Sequence, residues 1–206
     1  MVNGIRLELS SLPQRHPQSG EDLLYDYGRA AIHRLCVDPD ALPPDVNERG
    51  ITVEHTPVGS PSPVTHRAVV GWSGHLDREF CVRAGVSKNA IDLTEAAAIV
   101  IASLTVSEFE QGRVLQVIQT TGKGDYYVEV DWRAKPALLE IRGVLEDDTP
   151  TGSVTRAKVQ EKRQQVEEGY VSVTAFRHRS SGTPHSILCY TTRPPRAMKA
   201  GKRGRK

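Results

Sequence analysis

Two stretches of the chain repeat apolar residues at helical spacing. The first, EDLLYDYGRAAIHRLCV, places apolar side chains every three or four residues and predicts a helix over 21–37. The second, DLTEAAAIVIASLTVSEFEQG, begins with Asp92 and Glu95 in the arrangement of a capping box and ends at Gly112. Its middle is apolar on almost every side, which predicts a helix buried in the core.

Shorter runs alternate apolar and polar residues or are rich in β-branched residues, as strands are. Two such runs precede the buried helix, three follow it, and two more follow a polar helix predicted over 154–168. The run from His75 to Ala84 is ambiguous and is compatible with one more short strand. We expect strands over 51–56, 65–72, 113–119, 125–132, 138–144, 170–176 and 187–191.

The order of these elements indicates the fold class. From Asp92 onward it is helix, three strands, helix and strand. A meander of three strands followed by a crossover helix gives a mixed sheet with helices on its faces, so we expect an α/β (α+β) core. We expect an N-terminal helix and β extension over 1–90 that packs on the core, the core itself over 91–192, and a disordered basic tail over 193–206.

Length and composition are typical of one main globular domain. The 206 residues are 38% hydrophobic and 25% charged, and no apolar run is long enough to span a bilayer. The first residues lack the apolar core of a signal peptide, so we expect a soluble, cytoplasmic protein with no membrane partner. Cys36, Cys81 and Cys189 are far apart and form no C-x-x-C pair, which argues against a disulfide framework and a zinc module.

Charge is distributed unevenly along the chain. The net charge is +2, but the segment RPPRAMKAGKRGRK carries seven basic residues and no acidic one, so the preceding 192 residues carry −5. A segment this rich in proline, glycine and basic residues cannot bury a core. It either contacts nucleic-acid phosphates or only keeps the protein soluble. The phosphate contacts expected there are Lys202, Arg203, Arg205 and Lys206.

Two adjacent predicted strands carry the candidate chemistry. On the first, Asp125, Tyr127, Glu129 and Asp131 share one face and alternate with an apolar set. On the second, Glu140 and Arg142 alternate with apolar residues. Because successive strand residues point to opposite faces, a hairpin whose apolar sets share one core puts Asp125 and Glu140 on the same side.

The register of this hairpin decides whether the two acids meet. A turn centred between positions 132 and 133 places Asp125 directly across from Glu140, with Cβ atoms about 5 Å apart. A turn centred between positions 134 and 135 places Glu129 there instead, and Asp125 lies about 13 Å further along. The first register makes a metal site, and the second makes a polar strand pair.

These motifs resemble those of the PD-(D/E)XK nuclease superfamily. Gly124-Asp125 starts the second strand and Glu140-Ile141-Arg142 lies on the third, within an αβββαβ order that covers about residues 92–191. The resemblance implies a phosphodiesterase acting on DNA or RNA, in which Asp125 and Glu140 bind magnesium or manganese. The runs EAAAIVIASLTV, TGKGDYY and LLEIRG also look like runs in bacterial proteins.

The resemblance also implies a third acid from the first helix. Glu108 and Glu95 are the candidates for this metal ligand. The alternative interpretation is that Glu95 caps the helix and that Glu108 is solvated.

One position departs from the superfamily pattern. The lysine expected two residues after the second acid is Arg142, which stays protonated and therefore cannot help to generate the attacking hydroxide. Lys123, close to Asp125 in sequence, or Lys158 or Lys162 on the following helix can stand in. Otherwise the chain is a degenerate, inactive relative of the nucleases, which binds or scaffolds instead. The default interpretation of this helix is a solvated face. Lys158 and Lys162 are four residues apart, however, and because this like-charge spacing is mildly unfavourable without an anion, it favours a helix facing phosphate.

The alternative to a nuclease is a module without catalysis. Such a module uses the same sheet to bind a protein partner, as a homo-oligomer or as a subunit of a larger assembly. The missing lysine and the acidic body favour this alternative, whereas the basic tail favours nucleic acid.

Other motifs in the chain fail at a required position. In TTGKGDYY, Lys123 is followed by glycine where a phosphate-binding P-loop needs serine or threonine. GWSGH, at 71–75, has His75 where a nucleophile elbow needs glycine. The histidines form neither an H-x-H nor an H-x-x-x-H pair, so they do not predict a zinc site.

Overall fold

A mixed eight-stranded sheet organises the protein in the computed structural model, which describes residues 4–35, 47–72, 90–117, 126–146, 153–177 and 182–192. The strands are β1 Ile5–Glu8, β2 Glu48–Thr56, β3 Val64–Gly71, β4 Arg113–Val117, β5 Tyr126–Glu129, β6 Ala137–Glu146, β7 Glu168–Arg177 and β8 His185–Thr192. Their spatial order is β1-β3-β2-β8-β7-β6-β5-β4.

Four helical segments accompany the sheet in the described residues. They are α1, Leu12–Arg15; α2, a continuous segment made of Gly20–Asp22, a π turn Leu23–Tyr27 and Gly28–Leu35; α3, Ala90–Glu110; and α4, Ser153–Arg163. A 3-10 turn, Leu9–Ser11, precedes α1. None of these helices has both the length and the apolar character needed to cross a bilayer.

The directions of the strands agree with the predicted α/β (α+β) class. β4, β5 and β6 form an antiparallel meander, α4 follows, and β7 then pairs parallel with β6. β8 pairs antiparallel with β7 and parallel with β2. β2 pairs antiparallel with β3, and β1 pairs parallel with β3. The N-terminal strands therefore belong to the same sheet as the strands that follow α3.

Helices cover both faces of the sheet. Leu139 and Ile141 of β6 belong to the larger core cluster, which includes residues of α2 and α3. On the opposite face, Val159 of α4 packs in a second cluster with Val171, Val173, Ile187 and Cys189. Because strand side chains alternate between faces, Glu140 and Arg142 lie on the face that α4 covers.

Helix α3 lies unusually close to β6. A Cβ atom on Gly143 would lie 2.2 Å from the backbone oxygen of Thr94, a distance that no real side chain tolerates. Glycine is required here because the helix backbone occupies the space of a side chain.

Two residues, Gln111 and Gly112, form the C-terminal end of α3. Gln111 has a φ of 52°, in the left-handed region that glycine usually occupies after a helix. Gly112 donates its N–H to the Val106 oxygen at 3.2 Å, and a Cβ there would lie 2.6 Å from Val106 Cγ1. The predicted stop at Gly112 is confirmed, but the glycine serves close packing while Gln111 takes the left-handed turn.

Several element boundaries differ from the sequence predictions. α3 begins at Ala90, so Asp92 lies in the first turn and not at the cap. α4 ends at Arg163, five residues before the predicted end, and Glu168 belongs to β7 instead of the helix. Strand β1 was not predicted, since four residues carry too little alternation to identify a strand. The ambiguous run 75–84 and the tail 193–206 lie outside the described residues.

Candidate functional site

The pairing of β5 with β6 has the first of the two alternative registers. Tyr126 pairs with Leu139 and Val128 with Ala137, which is the register of a turn centred between positions 132 and 133. Asp125 and Lys123 themselves lie outside the described residues. The last described pair, Tyr126 with Leu139, is therefore one position away from the predicted pair of Asp125 and Glu140.

Glu140 is a buried carboxylate held by the crossover helix. Its side chain is 8% exposed, and its Oε1 accepts a hydrogen bond from the Nζ of Lys162, which is 17% exposed. Lys162 also donates to Gln165 Oε1 at 3.2 Å. A charged group is tolerated at this depth because an opposite charge and hydrogen bonds replace its lost hydration.

Arg142 reaches from β6 to helix α3. Its Nη1 donates to Glu95 Oε1, and the two side chains are 41% and 44% exposed. Neither interpretation of Glu95 given by the sequence, helix cap or metal ligand, includes this ion pair. In the described contacts its carboxylate neutralises the guanidinium of Arg142.

Glu108 lies in the last turn of α3, away from Glu140. Its Oε2 accepts from Arg15 Nη1 at 3.0 Å. Glu108 and Glu95 are separated by about 20 Å along the helix axis. α3 also packs on the face opposite to the one that carries Glu140. The described contacts thus do not bring Glu108 together with Glu140.

The donor chemistry around Glu140 matches a magnesium or manganese site in part. Hard cations prefer carboxylate oxygens, and Glu140 supplies one carboxylate on this face. Across the described ranges, no three His, Cys, Asp or Glu residues are arranged to hold a metal ion. The second expected ligand, Asp125, falls outside those ranges. The fit therefore depends on one observed carboxylate and on the register of the strand pair that leads to Asp125.

Lys158 and Lys162 of α4 have partners within the protein. Lys158 donates to Glu161 Oε2 at 2.7 Å, and Lys162 pairs with Glu140. These carboxylates compensate the repulsion between the two lysines, so the like-charge spacing of Lys158 and Lys162 does not require an external anion. The expected tail contacts, Lys202, Arg203, Arg205 and Lys206, lie outside the described residues.

A second polar cluster, which the sequence analysis missed, lies on the α3 face. His55 Nε2 is 2.5 Å from Glu110 Oε1, and the Tyr170 hydroxyl donates to Glu110 Oε2 at 2.9 Å. Burial, and then the nearby Glu110 charge, raise the pKa of Tyr170 above its ordinary value. One signal was available, since His55 has the same strand parity as the core residues Ile51 and Val53.

An aromatic group extends this cluster toward the surface. Phe109 lies between two histidines, with ring centroids 5.0 Å from His55 and 4.7 Å from His66. Burial, and then the neighbouring His55, lower the pKa of His66. Stacked rings and a fully engaged carboxylate make this cluster a rigid anchor between α3, β2 and β7.

The fold and these sites define a mixed α/β protein with charged pairs on both faces of its sheet. No family model, no curated protein and no solved structure matches the chain. We therefore infer function from the residues around Glu140 and from the sequence motif that contains it.

Proposed function

We propose that this protein acts on nucleic acid as a metal-dependent phosphodiesterase with a PD-(D/E)XK-like core. The observation that carries the proposal is the contact between Lys162 and Glu140. The sequence motif lacks a lysine at position 142, and α4 supplies one beside the second acid of the motif. Lys162 can therefore stand in for the lysine that the motif lacks.

The order of the elements gives a second line of support. The superfamily order αβββαβ corresponds to α3, then β4, β5 and β6, then α4 and β7. The register of β5 and β6 is also the one required for Asp125 to lie across from Glu140.

Each residue has a distinct role in the proposed reaction. Asp125 and Glu140 would hold magnesium or manganese, and the ion would supply activation of a water and neutralisation of charge on the phosphate. Lys162 orients Glu140 through the contact between its Nζ and the carboxylate. Arg142 and Lys123 contact the phosphates around the scissile bond, and the basic tail holds the nucleic-acid backbone.

The test is a cleavage assay on the purified full chain. The protein is incubated with magnesium or manganese and with single-stranded and duplex DNA and RNA. Asp125→Asn, Glu140→Gln and Lys162→Met are each expected to reduce the cleavage rate at least about 100-fold. Glu129→Gln is the matched control, because Glu129 is an exposed carboxylate on β5 and its loss leaves the proposed site intact.

Two results contradict this proposal. The first is a wild-type protein that cuts none of the substrates, and the second is a Glu140→Gln variant that cuts as fast as wild type. Circular dichroism of each variant establishes the folded fraction, so a loss of rate is assigned to the site only in a folded protein. Chelation of the metal must abolish the cleavage as well.

A second candidate function is a module that binds a protein partner without catalysis. The observation in its favour is that Glu140 and Arg142 are both already paired within the protein, and that Glu140 is buried. Removal of residues 193–206 distinguishes the candidates. If the protein acts on nucleic acid, the full chain is expected to bind labelled DNA or RNA, and the truncated chain is expected to lose that binding. If the protein is a module that binds a protein partner, neither chain is expected to bind DNA or RNA.

A further inference from the structure

A cavity of about 390 Å³ lies between α4 and the turn that joins β2 to β3. Its volume falls within the range of about 300–1,000 Å³ that small-molecule sites occupy. The innermost part of its lining is apolar, since Val159, Ile187 and Cys189 are each at most 5% exposed. Three prolines of the turn extend this apolar lining: Pro57, Pro61 and Pro63. The cavity can therefore accommodate an apolar group between the helix and the turn.

The apolar lining is aliphatic and presents no aromatic ring. Tyr190 also borders the cavity, but its ring meets the rings of Tyr170 and Trp132 on the α3 face of the sheet, at centroid distances of 5.0 Å and 5.2 Å. Because successive strand residues point to opposite faces, Ile187 and Cys189 face the cavity and the Tyr190 ring does not. The lining therefore suits an aliphatic group and offers no surface on which a planar ring can stack.

The charged groups of the lining leave one positive charge unbalanced. The lining contains one carboxylate, Glu54, and two guanidinium groups, Arg156 and Arg163. Arg156 pairs with Glu54. Within the described part of the chain, no carboxylate pairs with Arg163. Burial raises the pKa of the Cys189 thiol, so this residue adds no negative charge. A ligand with a single negative charge would complete the balance.

We propose that this cavity binds a small aliphatic monocarboxylate. Arg163 receives the carboxylate in a charge-assisted contact, and Gln160, three residues earlier on the same helix face, offers its amide as a further donor. The aliphatic chain contacts the buried apolar lining. A carboxylate matches the one unbalanced charge, whereas a phosphate monoester carries nearly two negative charges. Lys162, by contrast, contacts Glu140 on β6, so this site does not depend on the proposed phosphodiesterase.

The test is a calorimetric titration of the full chain with hexanoate, acetate, hexan-1-ol and inorganic phosphate. Hexanoate is expected to bind at least about tenfold more tightly than acetate, because each methylene group that it buries increases affinity by up to about fourfold. It is also expected to bind at least about tenfold more tightly than hexan-1-ol, which has the chain without the charge, and than phosphate, which has charge without a chain. Arg163→Gln is expected to weaken hexanoate binding at least about tenfold.

Lys158→Gln provides the matched control. It removes the same charge from the same helix at a residue that does not line the cavity, so hexanoate binding is expected to stay within about twofold of wild type. The proposal is overturned if hexanoate does not bind, if acetate, hexan-1-ol or phosphate binds as tightly, or if the two variants weaken binding equally. Arg163 is exposed, so its substitution is expected to leave the fold intact, and thermal unfolding verifies this.

Discussion

The ammonium of Lys162 contacts the carboxylate of Glu140 and so ties the crossover helix α4 to the middle of strand β6. Both side chains are largely buried, whereas Arg142 and Glu95, which pair nearby, are both exposed by more than two fifths. The two ion pairs share one strand and differ in depth. They allow the effect of burial to be measured within a single protein.

Breaking the buried pair is expected to cost far more stability than breaking the exposed one. Lys162→Met leaves Glu140 buried without a partner and is expected to lower the free energy of unfolding by about 3 kcal/mol. Glu95→Gln is expected to lower it by at most about 1 kcal/mol, because solvent screens that pair. Urea unfolding measures both. Equal costs for the two substitutions would show that Glu140 is not held by Lys162 in solution.

Close packing of α3 on β6 predicts a strong effect at one glycine. In Gly143→Ala the added methyl group would overlap the Thr94 backbone and force the strand and the helix apart. This substitution is expected to destabilise the protein by about 1–3 kcal/mol. Gly50→Ala on β2 is the matched control, because no heavy atom lies within 4 Å of the added carbon. Thermal melting curves of the two variants give the comparison, and similar melting temperatures would contradict the packing argument.

The end of α3 offers a stabilising substitution. Gln111→Gly removes the cost of placing a side chain at a φ of 52° and is expected to raise the free energy of unfolding by about 1 kcal/mol. Gly112→Ala, one residue later, is expected to do the opposite because its methyl group meets Val106. Chemical denaturation of the pair tests both signs. A destabilised Gln111→Gly protein would mean that the glutamine side chain contributes more than the backbone conformation costs.

The buried His16 makes stability depend on pH. Its Nδ1 accepts the Val114 N–H at 3.0 Å, and burial lowers its pKa from 6.5 to about 4. The unfolded chain therefore binds a proton before the folded one does. This contribution to stability is complete above about pH 6.5 and is lost as the pH falls toward about 4, by about 3 kcal/mol in total.

His16→Asn provides the comparison for this pH dependence. Asparagine keeps an acceptor near the Val114 N–H but does not titrate, so the variant is expected to lose less stability between pH 7 and pH 4. Burial also lowers the pKa of His33 and His66, and their contributions cancel in the difference between the two proteins. Identical pH profiles of unfolding free energy would exclude His16 as the titrating group.

Local patterns predicted most of the elements after α3. The apolar length of α3 and the alternation of β5, β6 and β7 are properties of neighbouring residues, and the sequence shows them directly. The junction between β2 and β8 has no such signal. Two strands that pair in parallel need only matching apolar faces. The sequences around Thr52 and His185 contain no pattern that predicts that these two residues pair.

The same distinction applies to the candidate site. Glu140, Arg142 and Lys162 were identifiable as residues, because a motif and a basic helix contain them. That Lys162 meets Glu140 while Glu95 takes Arg142 depends on how α3 and α4 lie across β6, which strand periodicity does not determine. The cluster of His55, Glu110 and Tyr170 draws one residue from each of three distant elements, so only tertiary packing identifies it.

The β2–β8 junction also bears on how the protein is made. The strand partners of Thr52 and its neighbours begin at His185. The middle of the sheet therefore cannot form until nearly the whole described chain has been synthesised. Until then, β2 presents an open edge that other nascent chains can pair with. Synthesis that stalls before β8 is therefore expected to yield fragments prone to aggregation.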